Sequence, residues 1–274
     1  SSTCAPCASF NTGFVPWCLT NEDNITLIKY QMNWPGAGDP YYTAEGGVRR
    51  NYYGVSAVPD LYCNGGNVAT TMSEVQSAYN QAIGEIGMMQ IAATHSFDNH
   101  TVTVEASILP FSNFPGCKVH VVVMEKVTHN NARSNGETDF HHVMMKMIPD
   151  AEGTSFDLID REPVIVSANI DLTGTNVEEW DDLIVAVFVQ DHASKKVYQS
   201  TYSIEDATFG TEARLSSLTQ SGQSVPSFDP DTFTYTVLLP SGTTIVPEVA
   251  AVPMDPKAVV IIVPTFSLPG ATTV

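Results

Sequence analysis

From residue 90 onward, apolar and polar residues alternate in short runs, the two-residue period of strands whose faces point to different surroundings. The runs span residues 90–97, 101–109, 118–126, 140–148, 163–172, 183–190 and 196–203. Asn, Asp, Gly and Pro separate them, as in the tight Asp98-Asn99-His100 turn, and the set predicts an antiparallel β-sandwich over 89–204. Residues 128–138 are polar apart from Ala132 and predict a long mobile loop.

Before residue 90 the pattern is different. Residues 8–19 start a helix that Gly13 and Pro16 should shorten or kink. Residues 25–32 read as a strand, and 43–53 as a helix closed by Gly54. A strand after Pro59, an Asn64-Gly65 turn and a return strand at 67–69 follow. Thr71 then caps a helix whose Val75, Ala78, Tyr79, Ala82, Ile83 and Ile86 form one apolar stripe. Residues 1–88 are thus an α/β unit. Residues 205–212 read as a linker and 213–274 as a second, shorter β unit, so the class is multidomain α/β plus all-β.

Charge narrows the function. The net charge of −18, with twelve Lys and Arg in 274 residues, argues against nucleic acid and against anionic lipid held by a basic patch. The longest apolar run, 258–263, is strand-sized and far short of a bilayer span. Five cysteines fit an oxidising compartment. No nucleophile elbow, Walker loop, dinucleotide fingerprint or zincin helix is written in the chain, so no cofactor is expected. His141 and His142 are neighbours on a strand and point to opposite faces, although His129 and Glu125 could join one of them across the sheet. Glu178, Glu179, Asp181 and Asp182 around Trp180 read as a solvated turn rather than a calcium site.

Candidate chemistry lies in the cysteines. Cys4-Ala5-Pro6-Cys7 can close a small disulfide ring, and at a helix start the first thiol would be acidified by the helix dipole. Cys4 would then attack a substrate disulfide, Cys7 would resolve it, and Pro59 would hold the substrate backbone alongside. The alternative is a structural disulfide in a scaffold. Cys18 and Cys63 could form a second bridge. A zinc site from Cys4, Cys7, Cys18 and Cys63 has the ligand count but lacks a second close pair, so no metal is expected.

A dithiol followed by Val58-Pro59-Asp60-Leu61-Tyr62-Cys63-Asn64-Gly65 resembles the thioredoxin fold, in which the proline is cis and packs beside the dithiol. Thr3 stands where thioredoxins usually carry Trp. The resemblance implies a strand ahead of the dithiol. Only three residues precede Cys4, so the chain is expected to lack that strand, and with it any signal or lipid anchor. Over residues 1–203 the chain is similar to Bacteroidetes outer-membrane lipoproteins that join a thioredoxin-like domain to a β-sandwich. The pieces beyond the dithiol and hairpin are Arg50-Asn51-Tyr52-Tyr53-Gly54-Val55, Val121-Val122-Val123-Met124-Glu125, His142-Val143-Met144, Ala151-Glu152-Gly153 and Val185-Ala186-Val187-Phe188-Val189-Gln190-Asp191. In residues 213–274, Leu215-Ser216-Ser217-Leu218-Thr219, the stretch 228–237 and Leu268-Pro269-Gly270 are spaced like a cadherin-like module cut short. That unit is expected to lie against another chain or to continue. The family implies a surface or secreted protein that binds or assembles with other proteins. An extracytoplasmic thiol–disulfide oxidoreductase is the alternative, and any membrane association would come through the missing anchor alone.

Overall fold

The computed structural model describes residues 1–205, 214–255, 258, 260, 262 and 264–274. The architecture is β-rich and multidomain, with two compact units, Ser1–Asp206 and Ala207–Val274.

The first unit begins with α1 (Ala5–Thr20), α2 (Ala44–Tyr53), the hairpin β1 (Leu61–Cys63) and β2 (Gly66–Val68), and α3 (Met72–Ile83). Local chemistry explains most of these limits. The Thr43 and Thr71 hydroxyls accept the N–H groups of Gly46 and Glu74, capping α2 and α3. Gly54 ends α2 in the left-handed region at φ 77°. Asn64 and Gly65, at φ 46° and 88°, make the two-residue turn that matches strand twist. Gly65 is also a close approach, because a Cβ there would lie 1.8 Å from the Lys195 carbonyl oxygen.

Two expectations are corrected here. Helix α1 runs through Gly13 and Pro16 for 16 residues without stopping. Packing overrides propensity: Phe14 and Cys18 are buried against Leu27 and Val75, and α3 brings Met72 to where a Cβ on Gly13 would be 3.4 Å away. Residues 25–32 do not form a strand. Only Lys29 bridges to a neighbour, in parallel with Val143. A strand needs partners along its length, and alternation alone does not supply them.

The sandwich follows as β3 (Met89–Asp98), β4 (Thr101–Pro110), β5 (Phe114–Thr128), β6 (Phe140–Ile148), β7 (Thr154–Leu158), β8 (Val164–Asp171), β9 (Leu183–Asp191), β10 (Val197–Tyr202) and β11 (Ile204–Glu205). One sheet has the order β11-β3-β4-β8. The other runs β10-β9-β5-β6, with β7 also paired to β5. Between them lies a core that includes Val102, Val104, Ile108, Val121, Val123, Leu158, Val185 and Val187.

The second sheet is buried on its outer face as well. Val122, Met124, Met144, Met147, Ala186 and Phe188 form a separate cluster there, joined by Ile28 and Tyr30. Double burial explains why Val121-Val122-Val123-Met124 and Val185-Ala186-Val187-Phe188-Val189 are continuous apolar runs rather than alternating ones. The α/β segment therefore packs on the sandwich.

In the second unit, β12 (Leu215–Gln220) pairs antiparallel with β13 (Gln223–Ser224) and β14 (Val249–Pro253). Around residue 229 a turn is tied by Tyr235, whose hydroxyl donates to the Asp229 carbonyl and accepts its N–H. Phe233, Leu238 and Phe266 are 90%, 91% and 84% exposed. The linker at 206–212, and Val259, Ile261 and Val263 of the apolar run, lie outside the described residues. Among the described residues, no helix is long and apolar enough to cross a membrane.

Candidate functional site

Cys4 is the N-cap of α1, and its Sγ accepts the Cys7 N–H at 3.1 Å. Pro6 occupies the first turn, where a missing N–H costs nothing. Cys4 and Cys7 are joined as a disulfide with Cα atoms 5.2 Å apart. The Val58–Pro59 peptide is cis, and the Val58 carbonyl oxygen sits 3.6 Å from Cys4 Sγ. The structure thus gathers Cys4, Cys7 and Pro59 at one place.

The bridge is enclosed. Cys4 is 1% and Cys7 5% exposed. Ser2 is pinned by its N–H to Asp39 Oδ2 at 2.8 Å, and the Thr3 hydroxyl donates to the Pro35 carbonyl at 2.6 Å. The rest of the cover comes from the β5–β6 loop. Asn135 donates its N–H to the Ser2 carbonyl at 3.0 Å, and its Nδ2 to the Ser1 and Cys4 carbonyls at 3.3 and 3.4 Å. Glu137 Oε1 accepts Asn11 Nδ2 of α1 at 2.7 Å. This loop, expected to be mobile, is bound to the dithiol segment.

The loop is held in turn from the sandwich. Glu178 accepts the N–H groups of His129 and Asn130, at 2.9 and 2.8 Å, and the Tyr41 hydroxyl at 2.7 Å. Buried Glu125 accepts the N–H groups of Glu178 and Glu179 at 2.9 and 2.8 Å. Asn131 Nδ2 reaches Asp39, which holds Ser2. A chain of carboxylates and main-chain donors therefore runs from the sandwich to Cys4. Asn135 and Glu137 were not legible as site residues, because their Asn-rich, polar surroundings carry only a loop signal.

Cys18 and Cys63 are free thiols rather than a second bridge, and Cys117 is free as well. Burial pushes Cys18 up to about 12 and Cys117 up to about 11, and it raises Cys63 too. Such thiols are inert as nucleophiles near neutral pH. His129 meets Asp139 at 2.9 Å, while Glu125 is taken up by main-chain donors, so neither joins His141 or His142. His120 is buried against Phe188, ring centroids 4.6 Å apart, and burial followed by the Arg49 charge pushes its pKa down to about 2. Among the described residues no cluster of His, Cys, Asp and Glu is placed to hold a metal.

No family model matches the chain, and no curated protein matches it. Among solved structures it is similar to an Agrobacterium tumefaciens protein determined as a structural-genomics target. The two share 15% identity and a TM-score of 0.50, over 76% of this chain and 92% of that one. A domain of the outer membrane lipoprotein Omp28 from Porphyromonas gingivalis aligns at 14% identity and TM-score 0.32, over 44% of this chain and 91% of that one. HBP35 of Porphyromonas gingivalis aligns at 12% identity and TM-score 0.43, over 74% of this chain and 64% of that one. At its identity the first match is a likeness of fold alone.

Proposed function

We propose that this chain is an extracytoplasmic binding or assembly protein of the cell surface, in which a thioredoxin-like unit, stapled by Cys4–Cys7, is a scaffold packed on a β-sandwich. The observation that carries this reading is the burial of the disulfide in a segment tied, at the Ser1 and Cys4 carbonyls and at Asn11, to Asn135 and Glu137 of the sandwich's own loop. An exchanging disulfide must let a foreign thiolate approach one sulfur in line. Here both sulfurs belong to buried residues, and the cover is tied by several hydrogen bonds. The strongly acidic surface and the disulfide support a place outside the cytoplasm.

A second reading, thiol–disulfide exchange, keeps one specific observation in its favour: the bridge sits at the N-terminus of α1, where the dipole stabilises a Cys4 thiolate once formed. Insulin reduction with limiting dithiothreitol separates the two. The scaffold reading expects no turnover above the dithiothreitol background, and Cys4–Cys7 reduced far more slowly in the folded chain than in the unfolded one. Turnover that Cys4→Ser abolishes would overturn it. As a staple, the small ring should stabilise the fold modestly. Replacing both cysteines with Ser is expected to cost about 2 kcal/mol by the chain-entropy relation, read by denaturant unfolding.

A further inference from the structure

A sheet edge is a row of unpaired N–H and C=O groups, and folded proteins blunt such edges with bulges, charges, prolines, short strands or a covering segment. Among the described strands of the sandwich, all edges but one are blunted. β11 has two residues. β10 slips register between Val197 and Gln199 and gives its Val197 N–H to the Asn64 carbonyl at 3.0 Å. β7 has five residues, and its pairing with β5 breaks between Phe114 and Cys117. β6 is met on the side away from β5 by Lys29, which donates to the His142 carbonyl at 2.9 Å and accepts the Met144 N–H at 3.0 Å.

β8 carries none of these devices. Its residues, Val164–Asp171, pair with β4 in one unbroken register, and the strand ends its sheet. It holds no Pro, Lys or Arg, and its single charge, Asp171, is the last residue. Just past it, Leu172 donates its N–H to the His100 carbonyl at 2.8 Å, so the even-numbered residues of β8 turn their main chain toward β4. The main-chain groups of Ile165, Ser167 and Asn169 point outward, where no strand lies among the described residues. The core is open on the same side. Val164, Val166, Ala168 and Ile170 pack on it but stay half-buried, whereas their β4 partners Val102, Val104, Ala106 and Ile108 are fully buried.

We propose that β8 is a self-association edge: two copies of this chain pair antiparallel through β8, about a two-fold axis at Ser167, and join their sheets into one. The strand complements itself in that register. Val164 falls opposite Ile170 of the second copy and Val166 opposite Ala168, so the half-buried apolar rows continue each other. Arg161, just ahead of the strand, comes beside Asp171 at the second copy's far end, an opposite-charge match at each end of the pairing. Two copies of net charge −18 repel one another, and an uncharged edge with matched ends is where close approach is least opposed. The proposal rests on the assembly reading and names the partner as this chain itself.

An interface of one strand is small, so the dimer is expected to be weak and concentration-dependent. Sedimentation of the whole chain over a concentration series reads it. Ser167→Pro removes the N–H that each copy gives the other at the axis and spares the β4 ladder. It is expected to weaken dimerisation about tenfold or more, for two lost hydrogen bonds, and to leave the circular dichroism spectrum unchanged. Ser167→Cys is expected to cross-link two copies on mild oxidation, because such a pair holds its Cα atoms about 5.5 Å apart, within disulfide reach. Ile165→Cys, opposite Asn169 of the second copy, should not cross-link. The unsubstituted chain, with Cys18 and Cys117 buried, is the control. A chain still monomeric at about 1 mM would overturn the proposal, as would a dimer that a folded Ser167→Pro leaves intact. Equal cross-linking at both positions would overturn the register, and the cross-link decides alone where Ser167→Pro fails to fold. Insulin turnover, measured separately, would sink the scaffold reading without touching these outcomes, and a monomer without turnover would leave that reading standing.

Discussion

Phe140→Ala should cost about 3–5 kcal/mol, the range for emptying a buried aromatic site, and lower the melting temperature of the first unit by roughly 6–20 °C. Phe140 is 1% exposed and packs with Val143 and Met145 of its own strand. Tyr41, Ala132 and Val177, from three other segments, complete the cluster. Those segments cannot close on an alanine without moving the backbone that carries them. Two of them belong to the cover over the disulfide, and the Phe140 carbonyl accepts the Thr128 hydroxyl at the loop's base. The variant should therefore also speed reduction of Cys4–Cys7 by dithiothreitol under native conditions. Circular dichroism melts and thiol-alkylation kinetics read the two effects. A large loss of stability with unchanged reduction would show that the cover is held from elsewhere.

Glu125 should also be costly to remove. Its buried carboxylate accepts two main-chain N–H groups in part-buried hydrogen bonds, and Glu125→Ala leaves both without that partner, at roughly 1–3 kcal/mol together. The loop carrying Glu178 would loosen, and with it the hold on His129, Asn130 and Tyr41. Burial pushes the Glu125 pKa up from 4.5 to about 7, opposed by the two N–H donors and aided by the nearby Glu178 and Asp182 charges. The folded state therefore holds this proton where the unfolded state has released it. The associated stability is fully present below about pH 4.5 and lost as pH rises through about 7. Glu125→Gln, which cannot titrate, should flatten that decline. Denaturant unfolding between pH 4.5 and 7 checks it, and parallel slopes for the two proteins would refute the assignment.

Features that depend on neighbours in sequence were legible without coordinates. The caps at Thr43 and Thr71, the Asn64-Gly65 turn and the edges of β4 follow from local hydrogen bonding and from a side-chain period of two, and those of β6 and β9 from short apolar runs between turn residues. The spacing of Cys4 and Cys7 is local in the same sense, since a ring of that size needs only a helix start to form. Tertiary structure decided everything that needed a distant partner. Residues 25–32 alternate like a strand, yet only Lys29 finds a ladder partner. Helix α1 passes Pro16 because Leu27 and Val75 pack beneath it. Cys18 and Cys63 stay apart as thiols, although their spacing permitted a bridge. Asn135 lies 131 residues from Cys4 in sequence and within 3.4 Å of its carbonyl in space. An alternating or polar run specifies what a segment can pair with, whereas the closing of the long loops between segments determines which partner arrives.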